Sequence, residues 1–440
     1  MEYVTVIGTD PGQERTSHIY NYFDKYLISM GDPTTTKGWT LSSVNKHFKH
    51  IIKQSKKFKQ KLYIDSGGFQ IIMGYITFDP TGREDRIREF VDTYHFLLGE
   101  YSEYIHRIFS LDVNNFDMTT KQIYDSNVYS MQSSINLIKK NPEIKNKQLF
   151  VLQNRNHRIF EIWRQLIINL EVYKYYKLWS FGGLVGLKKD TNAKFSHVVP
   201  STMWLLTYQK HFNFEIEQIH FLGQGSRLNF LVVAVLEELF DLDITCDSSQ
   251  LVRFAPPIQK LPIIHIKKEA VDLMEAGDYS SITDDDFLLI TQDNLEDLEK
   301  LFKYNSLKTM NMTVDNKPVH SCEISITEEM IKNNRMTSTH MLEMMSIATR
   351  NDMLFAVYIK NKIMAAGWET VTVDQMKKMH PITGRGHISR DMTNNLNFIK
   401  AFMDIKERGD IKSADGLMYS ILDSYQARSE EQELKKSKEG

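Results

Sequence analysis

Short apolar segments that end in an acidic, amide or glycine residue recur along the chain up to about residue 250. KLYID, RIFSLD and QLFVLQ are clear examples. Helical patterns lie between most of these segments, with apolar residues at three- and four-residue steps, as in REDRIREFVDTYHFLL and SRLNFLVVAVLEELF. Because strands that alternate with helices form parallel βαβ units, this order predicts an α/β fold.

The number of units favours a (β/α)8 (TIM) barrel over an open sheet, since seven or eight of them occupy about 250 residues. KLPIIHI (260–266) is the candidate for the eighth strand. The other predicted strands are 26–30, 61–65, 107–112, 148–153, 177–183, 218–225 and 243–248.

A change of composition follows the proline pair in RFAPPIQKLP (253–262). We therefore predict a barrel over 1–262 and an additional C-terminal α+β module over 263–428, which we interpret as a nucleic-acid clamp. VHSCEISI and MLFAVYIKNKIMAAGW are its candidate strands. The charged segment 429–440 is predicted to be a disordered tail.

Charge restricts the surface that could bind nucleic acid. The 440 residues carry a formal net charge of −2, so the whole chain is not a polycation and any such surface must be local. Lysine-rich candidates are 46–61, 139–147 and 377–390, although a single lysine run is more often a solvated face.

The cysteine pattern argues against a zinc site, a structural disulfide and an oxidising compartment. Cys246 and Cys322 form no CxxC pair, and no Cys/His cluster has zinc spacing. The N-terminus lacks the layout of a signal peptide, and no apolar run reaches about 18 residues. We expect a cytoplasmic protein with no membrane partner, no metal and no cofactor.

Polar and glycine residues follow the predicted strands, and in a barrel the carboxyl ends of the strands converge on the face that holds the active site. One Asp after a strand is often a helix N-cap, and one Gly is often only a turn, but six strand ends with such residues favour a site. These residues are Asp65, Asp112, Gln153, Gly182, Gly183, Gly223, Gly225 and Asp247.

The residue types suggest a nucleobase site. Two carboxylates at strand ends can divide the work on a glycosidic bond, one attacking the sugar and the other moving a proton. In DSGGFQ (65–70), the glycines would let a planar ligand lie against the backbone, and Phe69 offers a stacking face. Asp, Gln and glycine N–H groups together could bind the hydrogen-bonding edge of a purine.

Five motifs occur in an order and spacing that resembles the tRNA-guanine transglycosylases, over about residues 60–253. The most specific is DSGGFQ, and the others gain weight from their order. They are DSGGFQ (65–70), LFVLQ (149–153), FGGLVG (181–186), HFLGQGS (220–226) and CDSS (246–249). The resemblance implies a (β/α)8 barrel that exchanges guanine in a polynucleotide for a 7-deazaguanine, and a homodimer as an option for the assembly.

The resemblance also implies roles. Asp247 corresponds to the nucleophile that attacks C1′, and Asp65 corresponds to the general acid/base. Asp112 corresponds to the carboxylate that binds the purine N1–H and amine. The remaining base-binding residues implied are Gln153, Gly182, Gly183 and Leu184 at the carbonyl, Phe69, Leu222 and Gly223 around the ring, and Ser66 and Gln70 in support. Lys188, Lys189 and Arg155 are the candidates for phosphate contacts.

Departures from the family pattern indicate a sub-branch. The CxCxxC zinc ligands of the tRNA enzymes are missing. In the bacterial tRNA enzymes an acidic residue that favours a cationic base follows the last glycine of the motif, whereas Leu187, Lys188 and Lys189 follow it here. The chain is therefore most similar to the DpdA-type transglycosylases, which insert 7-deazaguanines into DNA in bacterial modification clusters and phages. A neutral incoming base such as the nitrile preQ0 fits this interpretation.

Three alternatives stay open at the level of sequence. A divergent enzyme acting on tRNA would share the same barrel motifs. A non-catalytic partner subunit would not need Asp65, Asp112 and Asp247 together. A barrel glycoside hydrolase would also use two carboxylates but would need aromatic sugar platforms. His95, His106, His157 and His220 receive no role from the sequence.

Overall fold

The chain was analysed as a computed structural model, which describes most of the predicted barrel and much of the C-terminal half. The described residues are 1–6, 24–29, 49–53, 56, 61–67, 71, 81–114, 118–183, 196–248, 263–290, 310–314, 317–322, 338–384 and 387–424. The predicted charged tail (429–440) lies outside them.

Eight parallel strands form a closed barrel in sequence order, which confirms the predicted (β/α)8 fold. The ring closes where β1 pairs with β8, with Val4 opposite Asp247. The strands are β1 (Glu2–Val6), β2 (Lys25–Ser29), β3 (Lys61–Asp65), β4 (Arg107–Phe109), β5 (Gln148–Gln153), β6 (Leu178–Gly182), β7 (Gln218–Phe221) and β8 (Asp243–Ser248).

The eighth strand is not the segment that the sequence suggested. Glu2–Val6 fills that place, and its three central residues are buried between β8 and β2. Ile263–Ile266 is a strand (β9), but it pairs antiparallel with Phe287–Ile290 (β10) outside the barrel. Both segments are short and apolar, so local pattern alone did not distinguish them.

Helices follow the barrel strands, and three of them begin at polar residues that cap the first turn. Thr119, Asn156 and Ser226 each accept a backbone N–H at the start of a helix. The barrel helices described are α1 (Arg83–Tyr101), α2 (Thr120–Lys140), α3 (His157–Asn169), α4 (Val198–Phe212) and α5 (Arg227–Phe240). Asp65, Asp112 and Asp247 cap none of these described helices, and the helix that follows Asp112 is capped by Thr119 instead.

Two apolar layers stabilise the barrel. Inside the ring, large side chains from neighbouring strands fill the middle, among them Tyr63, Phe109 and Val151. Outside it, the helices pack on the other face of each strand, where Trp163 and Trp204 are fully buried. The filled interior leaves the strand ends as the place where polar groups can meet a ligand.

The C-terminal half combines two two-stranded antiparallel sheets with helices, as an α+β module would. β11 (Met310–Val314) and β12 (Lys317–Cys322) pair antiparallel, and β12 covers the start of the predicted strand VHSCEISI. The helices are α6 (Lys268–Glu275), α7 (Ser338–Ala365), α8 (Val373–Met379), α9 (Ile388–Arg408) and α10 (411–424).

The segment MLFAVYIKNKIMAAGW was wrongly predicted as a strand. Most of it forms the second half of the 28-residue helix α7. Phe355, Ile359 and Ile363 recur at four-residue steps and are buried, which is the spacing of one helix face. The period is obscured where Ala356, Val357 and Tyr358 lie between the core positions Phe355 and Ile359.

The C-terminal helices pack against the outside of the barrel. α9 lies along α4, and α7 lies along α5. Asp415 accepts hydrogen bonds from Trp204 Nε1 at 2.8 Å and from the Tyr208 hydroxyl at 2.9 Å. Nearer the start of α4, Asn395 Oδ1 accepts the Ser196 N–H at 2.9 Å. Within the described residues, no helix combines the length and apolar character needed to cross a bilayer.

Candidate functional site

The sequence-predicted polar residues lie at the carboxyl ends of the barrel strands. Asp65, Gln153 and Gly182 are the last residues of β3, β5 and β6, and Asp247 is the penultimate residue of β8. Asp112 follows β4 by three residues. The parallel arrangement brings these positions to one rim of the barrel, where the sequence predicted the site.

Asp112 is the centre of a buried hydrogen-bonded group. Its side chain accepts the Ser66 hydroxyl on Oδ1 at 3.1 Å and the Gln153 amide nitrogen on Oδ2 at 2.6 Å. The exposed fractions are 2% for Asp112, 4% for Gln153 and 0% for Ser66. Each carboxylate oxygen has two lone pairs, so each can accept one further hydrogen bond.

The pKa of Asp112 is raised to about 6 by burial, which penalises the charged carboxylate. The hydrogen bonds from Ser66 and Gln153 act in the opposite direction and lower it. Tyr94 lies nearby. Burial raises its pKa first, and the charges of Asp65 and Asp112 raise it further. The Tyr94 hydroxyl is therefore within electrostatic reach of both carboxylates.

The glycine pair after β6 leaves space that the Gln153 side chain occupies. A Cβ on Gly182 would lie 2.5 Å from Gln153 Nε2, and one on Gly183 would lie 2.7 Å from Gln153 Oε1. Gly183 also has a φ of +75°, which L-residues rarely adopt. Oε1 of Gln153 is buried and has no hydrogen-bond partner among the described residues. Glycine is required here because the amide lies against bare backbone.

Asp247 has a different environment from that of Asp112. Its Oδ1 accepts the Gly223 N–H at 2.8 Å and lies 3.1 Å from His220 Nε2. Across the described chain, no residue donates a hydrogen bond to the other carboxylate oxygen, Oδ2. The Asp247 side chain keeps 7% exposure at the rim. Within the described residues, Oδ1 therefore has two polar partners and Oδ2 has none.

His220 belongs to the site, although the sequence gave it no role. Its Nδ1 lies 2.7 Å from Thr245 Oγ1, and its edge packs against Phe109 with ring centroids 5.0 Å apart. The period-two rule could have found it. In β7, Gln218 and His220 alternate with apolar residues, so both point into the barrel, toward inward-facing residues of β8.

Asp65 is more accessible than Asp112. It has intermediate burial, and its Oδ2 accepts the Gly67 N–H at 3.3 Å. That contact fixes the chain just after the strand, where Gly67 has a φ of +85°. Partial exposure at a strand end is what a group that exchanges protons with a ligand requires.

Other predicted residues lie beside this group. Leu222 is half-buried against the inner barrel cluster, and Gly223 contacts Asp247 through its N–H. Arg155 lies next to Gly183, and burial lowers the pKa of its guanidinium. Five predicted site residues fall outside the described residues: Phe69, Gln70, Leu184, Lys188 and Lys189.

Arg158, five residues after Gln153, is already engaged within the protein. Its guanidinium donates to Thr120 Oγ1 and to the Met118 carbonyl, each at 2.8 Å. No group of three or more His, Cys, Asp or Glu side chains in the described ranges is arranged to hold a metal ion.

No family model matches the sequence, and no curated protein does either. The interpretation of the site rests on its own geometry and motifs.

Proposed function

We propose that this protein is a base-exchange transglycosylase that replaces guanine in DNA with a 7-deazaguanine through a covalent intermediate on Asp247. The observation that carries the proposal is the contrast between two buried carboxylates. Asp112 is held on both oxygens, as a ligand-binding acceptor would be, whereas Asp247 is held on one oxygen only. The motif order around them supports the same assignment.

The Asp112 group suits the edge of a guanine-like base. A carboxylate with one remaining acceptor position on each oxygen can take the N1–H and the exocyclic amine side by side. The Gln153 amide and the N–H groups at Gly183 and Leu184 are then the donors for the base carbonyl. Phe69 and Leu222 are the residues that would enclose the ring.

The reaction balances with the groups at the rim. Oδ2 of Asp247 attacks C1′ of the deoxyribose, the C1′–N9 bond breaks, and N9 of the departing guanine takes a proton from the Asp65 carboxyl group. The incoming base returns that proton from its own N9–H to Asp65. Its N9 then attacks C1′ and displaces the Asp247 carboxylate. Exchange therefore consumes no water and no net proton.

A polynucleotide must present its target base to this slot out of the stack. Arg155, which lies beside Gly183, and Lys188 and Lys189, which follow the glycine pair in the sequence, are the groups proposed for the phosphates. The C-terminal helices reach the start of α4 through Asn395 and the start of α5 through the Arg227–Asp352 ion pair at 2.8 Å. This contact supports a role for the C-terminal module as a clamp near the rim.

Base exchange is the test. The protein is incubated with labelled guanine or labelled preQ0 and, separately, with duplex DNA, single-stranded DNA and tRNA. Asp247→Asn is the matched variant, since its amide oxygen can still accept from Gly223 while the attacking oxygen is removed. We expect label in DNA with the wild type and none with the variant.

Each other outcome changes the conclusion in a defined way. Label in tRNA alone keeps the chemistry and overturns the DNA substrate. If Asp247→Asn incorporates label at the wild-type rate, Asp247 is not the nucleophile. No label in any polymer, from protein that is folded by circular dichroism, favours a non-catalytic partner subunit. Removing residues 387–424 without any change in DNA affinity would argue against the clamp.

A further inference from the structure

We propose that His220 is a positioning residue that selects Oδ2 of Asp247 as the attacking atom and that Thr245 holds the His220 ring in the orientation in which it does so. This inference rests on the proposed function, because it assigns the parts of that reaction's nucleophile. His220 contacts Asp247 but lies below it in the barrel, out of reach of solvent, with 0% exposure.

The geometry begins with strand register. His220 and Thr245 are directly paired across β7 and β8, so their side chains lie on the same face of the barrel wall. Asp247 is two residues further along β8, on that face and one step nearer the rim. The three side chains therefore form a line from the barrel interior to the ligand side, with contacts of 2.7 Å and 3.1 Å.

The hydrogen-bond roles follow from the chemistry of a nucleophile. An attacking carboxylate can only accept hydrogen bonds, so the proton between Asp247 and the imidazole must be on His220 Nε2. In the neutral ring Nδ1 is then an acceptor, and the Thr245 hydroxyl is the group that donates to it. The Asp247 carboxylate thereby sets the tautomer, and the Thr245 hydroxyl holds the ring through the other nitrogen.

Two donors on Oδ1 leave Oδ2 as the oxygen that can form the glycosyl ester. The Gly223 N–H and His220 Nε2–H approach Oδ1 from β7 and the turn after it, so the carboxylate plane cannot rotate without losing both hydrogen bonds. The imidazole is itself clamped, with its ring centroid 5.0 Å from that of Phe109 and 6.2 Å from that of Tyr63. A fixed carboxylate lowers the cost of reaching the attack geometry.

The test compares two replacements of His220, of which only one keeps a hydrogen-bond donor. His220→Gln keeps an N–H that can reach Asp247, and His220→Phe keeps a ring of similar volume without any donor. Two quantities are measured. One is the rate at which the covalent DNA adduct forms in a single turnover, and the other is the equilibrium affinity for free guanine. The base affinity reports on the Asp112 group, which His220 does not contact.

We expect His220→Phe to slow adduct formation by about 100-fold with guanine affinity within about twofold of wild type, since small misplacements of a reacting group have effects of that size. His220→Gln should recover at least about tenfold of that loss. Thr245→Val should slow adduct formation, whereas Thr245→Ser, which keeps the hydroxyl, should not.

The results separate this inference from the proposed function. If the wild type exchanges base and His220→Phe forms adduct at the wild-type rate, the positioning role is overturned alone. The same conclusion follows if His220→Phe weakens guanine binding as much as it slows the adduct, because the change would then be structural. If the wild type exchanges no base in any polymer, both proposals fall together.

Discussion

The side-chain nitrogen of Gln153 lies 2.6 Å from Oδ2 of Asp112, and both side chains are almost fully buried. The contact links the end of β5 to the residues that follow β4. An ionised carboxylate can only accept hydrogen bonds, so this contact fixes which end of the Gln153 amide faces Asp112. The amide oxygen Oε1 then lies against the glycine pair. This pair of side chains joins two strand ends at one rim of the barrel.

Base binding should depend on pH through Asp112. Burial raises the pKa of this carboxyl to about 6, and only the ionised form accepts from both purine donors. Affinity for free guanine should therefore be constant above about pH 7 and fall by up to about tenfold per pH unit below the pKa. Calorimetric titration between about pH 5 and pH 8 measures it. Asp112→Asn should bind weakly and without this pH dependence.

Ser66→Ala should move that transition to higher pH. The Ser66 hydroxyl donates to Asp112 Oδ1 and lowers the pKa that burial raises. Loss of a hydrogen bond to a charged group, about 1.5 kcal/mol or more, corresponds to a shift of roughly one pH unit. The same titration on Ser66→Ala gives the midpoint. An unchanged midpoint would mean that another group controls the pH dependence.

Gly183→Ala should weaken guanine binding by at least about tenfold, because its Cβ would meet Gln153 Oε1 at 2.7 Å and displace the amide. Gly277→Ala is the matched control. Gly277 has a similar φ of +82°, but nothing lies within 4 Å of its Cβ position. Both variants should lose about 1 kcal/mol of stability from backbone strain. Equal guanine affinities in the two variants would show that the glycine pair does not shape the site.

Asp415→Ala should loosen the C-terminal helices from the barrel. It leaves the Trp204 N–H and Tyr208 hydroxyl without their acceptor, which should reduce the free energy of unfolding by about 2 kcal/mol. Urea denaturation measures this change. Asp404→Ala is the control, because Asp404 and its partner Arg408 are 79% and 59% exposed, and its loss should change stability by less than about 0.5 kcal/mol. Similar losses in both would contradict the docking role.

The barrel was predictable because its information is local. Each strand–helix unit carries its own apolar pattern, and the polar residue at each strand end marks the rim. Glu2–Val6 was missed because nothing in five residues shows that they pair with β8, a partner distant in sequence. The helix α7 was misjudged for a different reason, since a helix that is apolar on more than one face shows no clear period.

The candidate site was predictable only in part. Asp65, Asp112, Gln153 and Asp247 stand at strand ends, where position alone suggests a role. His220 lies inside a strand, and its importance depends on pairing with Thr245 across the barrel wall. That relationship belongs to three-dimensional register, which a single sequence does not display.

Closure of the barrel by its first and last strands has a consequence for synthesis on the ribosome. Strand β1 is made first, yet its neighbour β8 appears only after about 240 further residues. Until then the emerging chain has an unsatisfied edge on β1, which is a site for mispairing with other chains. Since Asp247 is carried by the strand that completes the ring, the proposed nucleophile reaches its place only when that exposure ends.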